Sequence, residues 1–191
     1  MEKIVVATNN EGKLKEIKEI LKEYELVSLK EIKCKIEVEE DKETFEGNAL
    51  KKAKEVFEKT NMPCIADDSG LCINVFEGWP GVNTARFLGE GATQKQKNDA
   101  ILEKMSKFKG EERKAKVKCV IVYYYKKNKY ITAKGEIEGR IAEEPRGKNG
   151  FGFDEIFELN NKTLAELTKK EKNMVSARKL ALENLKKQLT N

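Results

Sequence analysis

Four short stretches of this chain combine residue types in spacings that could do chemistry. The first is Thr8-x-Asn10-x-x-Lys13, between a short apolar run and a helical pattern. Backbone N–H groups at a helix start, joined by a hydroxyl, an amide and an ammonium, suit phosphate oxygens. An ordinary capped turn with a surface lysine accounts for the same residues, and GxxxxGK[ST] is absent, so this is not a P-loop. The second is Ala66-Asp67-Asp68-Ser69-Gly70. Adjacent carboxylates at the end of an apolar strand are costly to bury unless something compensates. A bound Mg²⁺ would do so, with Ser69 donating to a phosphate; an Asp-rich turn is the structural alternative. Neighbouring side chains of an extended chain point to opposite faces, so one of the pair faces a given site. Glu37, Glu39 and Glu40 are available to complete a metal site.

The third stretch is Gly147–Asp154, GKNGFGFD. Glycines interleaved with Phe151 and Phe153 permit close approach to a flat ligand, and Asp154 could accept from a base N–H; a tight turn with core aromatics fits equally. The fourth is Lys172, Ser176 and Arg178, read as the first two turns of the last helix. On a continuous helix Lys172 and Ser176 share a face and Arg178 lies about 120° round from Lys172. A solvated basic face is the alternative there.

Bulk composition narrows the chemistry. Histidine is absent from the 191 residues, which removes Ser-His-Asp and Cys-His mechanisms and disfavours zinc. A general base must then be a carboxylate or a lysine, and a metal should be a hard ion held by oxygens. The four cysteines, Cys34, Cys64, Cys72 and Cys119, are scattered, with no CxxC pair, and are expected to be reduced and structural. A net charge of +5 is modest and spread along the chain, so basic runs such as Lys51-Lys52 read first as solvated faces. No stretch approaches the roughly 18 apolar residues of a membrane span, and residues 1–7 lack a secretory leader pattern. A cytoplasmic protein without a membrane partner is expected.

The elements that must position these residues follow from periodicity. Ile4–Ala7 predicts a strand, residues 12–24 an amphipathic helix through Leu14, Ile17, Leu21 and Tyr24, and Leu26–Leu29 a second strand. Residues 34–43 are acidic and irregular. A helix follows Thr44, with Phe45, Ala49, Ala53 and Phe57 on one stripe. Pro63–Ala66 predicts a buried strand ending at Asp67-Asp68-Ser69-Gly70, with Leu71–Phe76 as a continuation before the turn Gly78–Gly81. A polar helix is predicted over about 93–106. Val117–Tyr125 and Tyr130–Ile141 predict a hairpin with one wet face. Thr163-x-x-Glu166 and Thr168-x-x-Glu171 match capping boxes, predicting a short helix before a longer one. One α/β domain over residues 1–191 results.

T-x-N-x-x-K, TFEGNALKKA, IADDSG, GWPGVNTARF, PRGKNGFGFDEIF and TLAELTKKEKNMVSAR occur in that order between about residues 4 and 187. Together they resemble the non-canonical purine nucleoside triphosphate pyrophosphatases, the family acting on inosine and xanthosine triphosphates. The resemblance implies an elongated mixed twisted sheet with flanking helices, two lobes around a central cleft, and a homodimer. It implies hydrolysis of ITP, dITP or XTP to the monophosphate and pyrophosphate with Mg²⁺ as cofactor, and no nucleic-acid partner. By the same resemblance Thr8, Asn10 and Lys13 form the triphosphate loop, Glu40 and Asp68 bind the metal, and Asp68 is the proton acceptor. Lys52 is then a catalytic lysine and Ser69 a substrate contact. Phe151, Gly152, Phe153 and Asp154 bind the base, with Lys172 and Arg178 completing that pocket.

Two departures stand out. The usual FGYDPIF reads here with Phe153 and Glu155, and the usual Ser-His-Arg reads Ser176-Ala177-Arg178. Polarity supplies the expected selectivity: hypoxanthine and xanthine offer an acceptor at position 6 and a donor at N1, matching Arg178 and ionised Asp154, while adenine reverses both. Two other functions remain open at this point. One is a septum-type nucleotide pyrophosphatase acting on modified pyrimidine or other non-canonical nucleotides. The other is a non-catalytic nucleotide- or RNA-binding module, which the acidic 37–43 segment disfavours.

Overall fold

The structure, a computed structural model, describes residues 3–89 and 91–189. The first two residues of the segment scanned for a leader therefore lie outside the described residues. An eight-stranded sheet runs in the order β2-β1-β3-β5-β6-β7-β8, with β4 paired to β3. Its strands are β1 (Ile4–Val6), β2 (Leu26–Ser28), β3 (Cys64–Ile73), β4 (Trp79–Pro80), β5 (Lys114–Lys126), β6 (Lys129–Ile141), β7 (Phe157–Leu159) and β8 (Lys162–Thr163). β1 pairs in parallel with β2 and β3, whereas β3–β4, β6–β7 and β7–β8 are antiparallel. The sheet is mixed, as expected. Among the described residues the α-helices are α1 (Glu11–Ile20), α2 (Phe45–Thr60), α3 (Gln94–Lys104), α4 (Lys169–Val175) and α5 (Ala177–Leu189). None is long and apolar enough to cross a membrane.

The chain forms two compact units. The first holds residues up to Ser69, Cys119–Gly135 and those from Ala177 onward; the second holds Gly70–Lys118 and Glu136–Ser176. In the first unit Val5 and Val6 are wholly buried, as befits a strand paired in parallel on both sides. Ala49, Ala53 and Val56 of α2 pack with Val5, Cys64, Ala66, Val122 and Tyr124 in one core cluster. Small residues on that stripe let the helix sit close to the sheet. Each fully buried aliphatic side chain here contributes about 1.5–3 kcal/mol. Thr44 caps α2 by accepting from Gly47 N, and left-handed Asn61 ends it.

In the second unit both threonine capping boxes form, at Thr163 and Thr168. Arg113, almost fully buried, donates to the carbonyls of Met105, Phe108, Ile141 and Ala142. It ties the end of α3 to the end of β6 without needing an anion.

Two expectations need correction. The strand through Asp67 does not end there: β3 continues unbroken to Ile73, so both aspartates lie mid-strand. The helix read as carrying Lys172, Ser176 and Arg178 is two helices, because Ser176 is extended (φ −76°, ψ 142°) between α4 and α5. Their helical face relationship therefore does not exist. Gly135 accommodates the start of α5, since a Cβ there would lie 2.1 Å from the Ala177 carbonyl oxygen.

Candidate active site

Mid-strand placement gives Asp67 and Asp68 opposite faces and different surroundings. Asp67 is 1% exposed. Its Oδ2 meets Lys13 Nζ at 3.0 Å and accepts from Arg178 Nη2 at 3.0 Å and Nε at 3.3 Å. Burial alone would raise this carboxyl; Lys13, Arg178 and Lys52 outweigh it and hold it well below the usual carboxylate range. Arg178 also donates to Glu16 Oε2 at 2.5 Å and to Ser69 Oγ at 3.0 Å. Burial disfavours its charge, but Asp67 and Glu16 more than restore it.

Asp68 has the opposite balance. Its Oδ2 accepts from Asn48 Nδ2 at 3.0 Å and its Oδ1 from Ser69 N at 2.9 Å. Burial pushes its carboxyl up to about 6, the charge of Glu40 adds to that, and Lys52 opposes it. Lys52 reaches from α2 to Glu40 Oε1 at 2.6 Å and to the Asp67 carbonyl at 2.5 Å. Its ammonium is disfavoured by burial, yet Asp67, Glu40 and Asp68 together raise its pKa.

The loop before α1 is built as a cap. Asn10 is the N-cap residue and accepts from Lys13 N, while Thr8 Oγ1 accepts from Asn10 N. From the first turn of α1 Lys13 points to Asp67. Thus Thr8, Asn10, Lys13, Glu40, Lys52, Asp68, Ser69 and Arg178 all fall in the first unit.

The remaining sequence-predicted residues fall in the second unit. Asp154 Oδ2 accepts from Phe151 N at 2.7 Å and pairs with Lys172 Nζ at 2.6 Å. The same ammonium lies 4.1 Å from the Phe151 ring centroid, a cation–π distance. Gly150 and Gly152 have φ of +82° and +66°. At Gly150 a Cβ would lie 2.0 Å from Asp154 Oδ2, so only glycine admits this carboxylate. Phe153 faces Phe87, centroids 6.4 Å apart. The structure therefore seats Lys172 on Asp154 and Arg178 on Asp67, where sequence reasoning had grouped both cations with Asp154.

Two residues escaped that reasoning. Buried Asn48 holds Asp68, and buried Glu16 holds Arg178. Asn48 lies inside the TFEGNALKKA stretch and next to the buried face of α2, which was the available signal. Glu16 gave none, since its partner is 162 residues away.

Residues 4–188 match the Ham1 family. The chain belongs to the Ham1 family. Curated relatives include proteins named dITP/XTP pyrophosphatase from Clostridium tetani and Bacillus subtilis. The first is 44% identical over 99% of this chain and 96% of its own length. The second is 43% identical over 99% and 98%. Among solved structures, a HAM1 protein from Coxiella burnetii superposes with a TM-score of 0.90 at 39% identity, covering 100% of this chain and 99% of that one. The Staphylococcus aureus Ham1 protein gives 0.88 at 34% identity, covering 99% and 98%. The two alternatives left open by the sequence thus lose ground to the Ham1 assignment over nearly the full chain.

Proposed function

We propose that this Ham1-family chain is a nucleoside triphosphate pyrophosphatase that hydrolyses ITP, dITP and XTP to the monophosphate and pyrophosphate. The observation that carries the chemistry is the split character of the aspartate pair. Asp67 is neutralised by fixed cations, whereas Asp68 is a buried carboxylate with a raised proton affinity. Without a metal that proton affinity suits a general base; a cation on the same carboxylate would lower it. Water attacks the α-phosphorus, its proton passes to Asp68 Oδ, and the bond to the bridging oxygen of the β-phosphate breaks. Lys52 and Lys13 supply fixed positive charge for the developing pyrophosphate, held in place by Glu40 and Asp67.

A divalent cation fits these residues. Among the described residues no group of three or more His, Cys, Asp and Glu could hold a metal alone. Glu40 and Asp68 supply two hard oxygen donors, and Glu40's charge raises the proton affinity of Asp68. That is the donor set of Mg²⁺, which keeps waters and binds through one or two carboxylates plus substrate phosphates. When bound it supplies charge neutralisation at the phosphate oxygens.

For the base, Asp154 is the acceptor for a purine N1–H and Lys172 beside it the donor to a 6-oxo group. Adenine would face each with the wrong polarity. Phe151 and Phe153 supply the flat apolar surface. We further propose a homodimer in the cytoplasm without a nucleic-acid partner, which sedimentation with and without RNA checks.

The test is a steady-state panel of inosine, deoxyinosine, xanthosine, canonical and modified-pyrimidine triphosphates, with and without Mg²⁺, reading pyrophosphate and monophosphate. Inosine, deoxyinosine and xanthosine triphosphates should lead over the canonical ones, guanosine triphosphate included, and activity should vanish in chelator. Preference for a modified pyrimidine would favour a septum-type activity and overturn the base assignment.

A further inference from the structure

Asn48 is fully buried, on the helix whose neighbouring positions Ala49, Ala53 and Val56 are apolar core. A buried amide is costly unless both its ends are bonded. Both are: Oδ1 accepts from Lys42 N at 2.9 Å, and Nδ2 donates to Asp68 Oδ2 at 3.0 Å. The first bond fixes which end of the amide faces Asp68, because a backbone N–H can only donate. The Asp68 carboxylate is then gripped on both oxygens, by Asn48 on one and by Ser69 N on the other, and cannot turn. Lys42 lies two residues from Glu40, so the same amide also anchors the backbone that carries the second carboxylate. Helix α2 needs none of this, since Thr44 caps it and Asn48 N already bonds Thr44 O.

We propose that Asn48 is a positioning residue whose amide sets the separation and orientation of Glu40 and Asp68, favouring a small, geometrically demanding cation over a larger one. The inference rests on the reading that these carboxylates hold the metal. Mg²⁺ demands near-octahedral geometry at about 2.0–2.1 Å, whereas Ca²⁺ tolerates irregular oxygens at about 2.3–2.6 Å. Loosening one carboxylate therefore harms the smaller ion more. Residues that orient metal ligands through a hydrogen bond are commonly worth about 10- to 100-fold in metal affinity.

The experiment measures Mn²⁺ binding to the nucleotide-free protein by calorimetry, with Mg²⁺ and Ca²⁺ as competitors. Asn48→Leu keeps the branched side-chain shape, with some added bulk, and removes both bonds; Asn48→Ala removes volume instead. Each should weaken Mn²⁺ and Mg²⁺ at least about tenfold and Ca²⁺ distinctly less, with KM for the nucleotide little changed and kcat lowered. Equal weakening of Mg²⁺ and Ca²⁺, or no change, overturns the inference. Glu40→Gln separates the two levels: if Mn²⁺ binding is indifferent to it, the metal assignment itself fails. Should both Asn48 variants fail to fold, the ¹⁵N resonance of the Asn48 amide in the unaltered protein decides. It should shift during Mg²⁺ titration with the midpoint of binding, and a static resonance overturns the inference.

Discussion

Replacing Asp67 by asparagine removes one charge and almost no volume, which makes it a clean probe of the buried network. The side chain is 1% exposed and meets two cations at 3.0 Å, Lys13 and Arg178. At an effective dielectric near 20, each such contact is worth about 5 kcal/mol before desolvation is subtracted. Removing one partner of a buried pair costs about 3–5 kcal/mol net, because the remaining charge stays buried. Here the lower end applies. Arg178 retains Glu16, and Lys13, whose side chain is 19% exposed, can turn toward water. A loss of about 3 kcal/mol in a chain of this length corresponds to a fall in Tm of about 6–12 °C. Calorimetry in chelator at neutral pH reads it. The acid behaviour has a definite sign: a folded carboxyl held below its unfolded value stabilises above that value, near 3.8, and loses the benefit as pH falls. The gap between Asp67→Asn and the unaltered protein should therefore narrow below about pH 4. A Tm within about 2 °C of the unaltered protein at neutral pH would refute the network's role in stability.

Asp68→Asn should abolish pyrophosphate release while leaving circular dichroism and the melt near normal; turnover within tenfold of the parent would remove Asp68 as the proton acceptor. Gly150→Ala forces a Cβ against Asp154 at a left-handed φ, a strain of about 1–3 kcal/mol. It should lower kcat/KM for inosine triphosphate about tenfold or more through KM, and an unchanged KM would dissociate this loop from the base. Glu31 is held at about 2 by the Ser28 N–H and then by Lys18. Its stabilisation is present above the unfolded value of 4.5 and is lost as pH falls toward 2. Lys18→Met should move its NMR titration midpoint upward, and no movement would show that the Lys18 contact is absent in solution.

Much of the scaffold was legible because its signals are local. Thr44, Thr163 and Thr168 each start a helix where expected, and the alternation of β6 falls on buried Ala133, Ile137 and Ile141. Period-two geometry also foresaw that Asp67 and Asp68 would part company. What stayed hidden depends on distant partners or on a missing stop signal. No glycine or proline marks the end of α4, so apolar spacing read straight through Ser176 into α5. The second strand half beyond Gly70 was blurred because Asp, Asp, Ser and Gly are all poor strand formers. They are tolerated in β3 because Asn48, Lys13 and Arg178 satisfy the two carboxylates from other elements.

The break at Ser176 shows why helical spacing misjudged the relation between Lys172 and Arg178. Lys172 and Arg178 are six residues apart, and both are more than nine-tenths buried. A buried cation needs buried acceptors, which are carboxylates for these two residues where Arg113 uses carbonyls. Asp154 takes Lys172, while Asp67 and Glu16 take Arg178. Each anion comes from a different place in the chain, so spacing alone holds no record of the division. A continuous helix would have fixed the two cations in one rigid relation; a single extended residue frees each to follow its own partner. In consequence, charge accounting at the four carboxylates Glu16, Asp67, Asp68 and Asp154 discriminates roles that motif order cannot. It leaves Asp68, whose carboxyl burial pushes up to about 6, as the carboxylate to which the proposed function gives the proton and the metal.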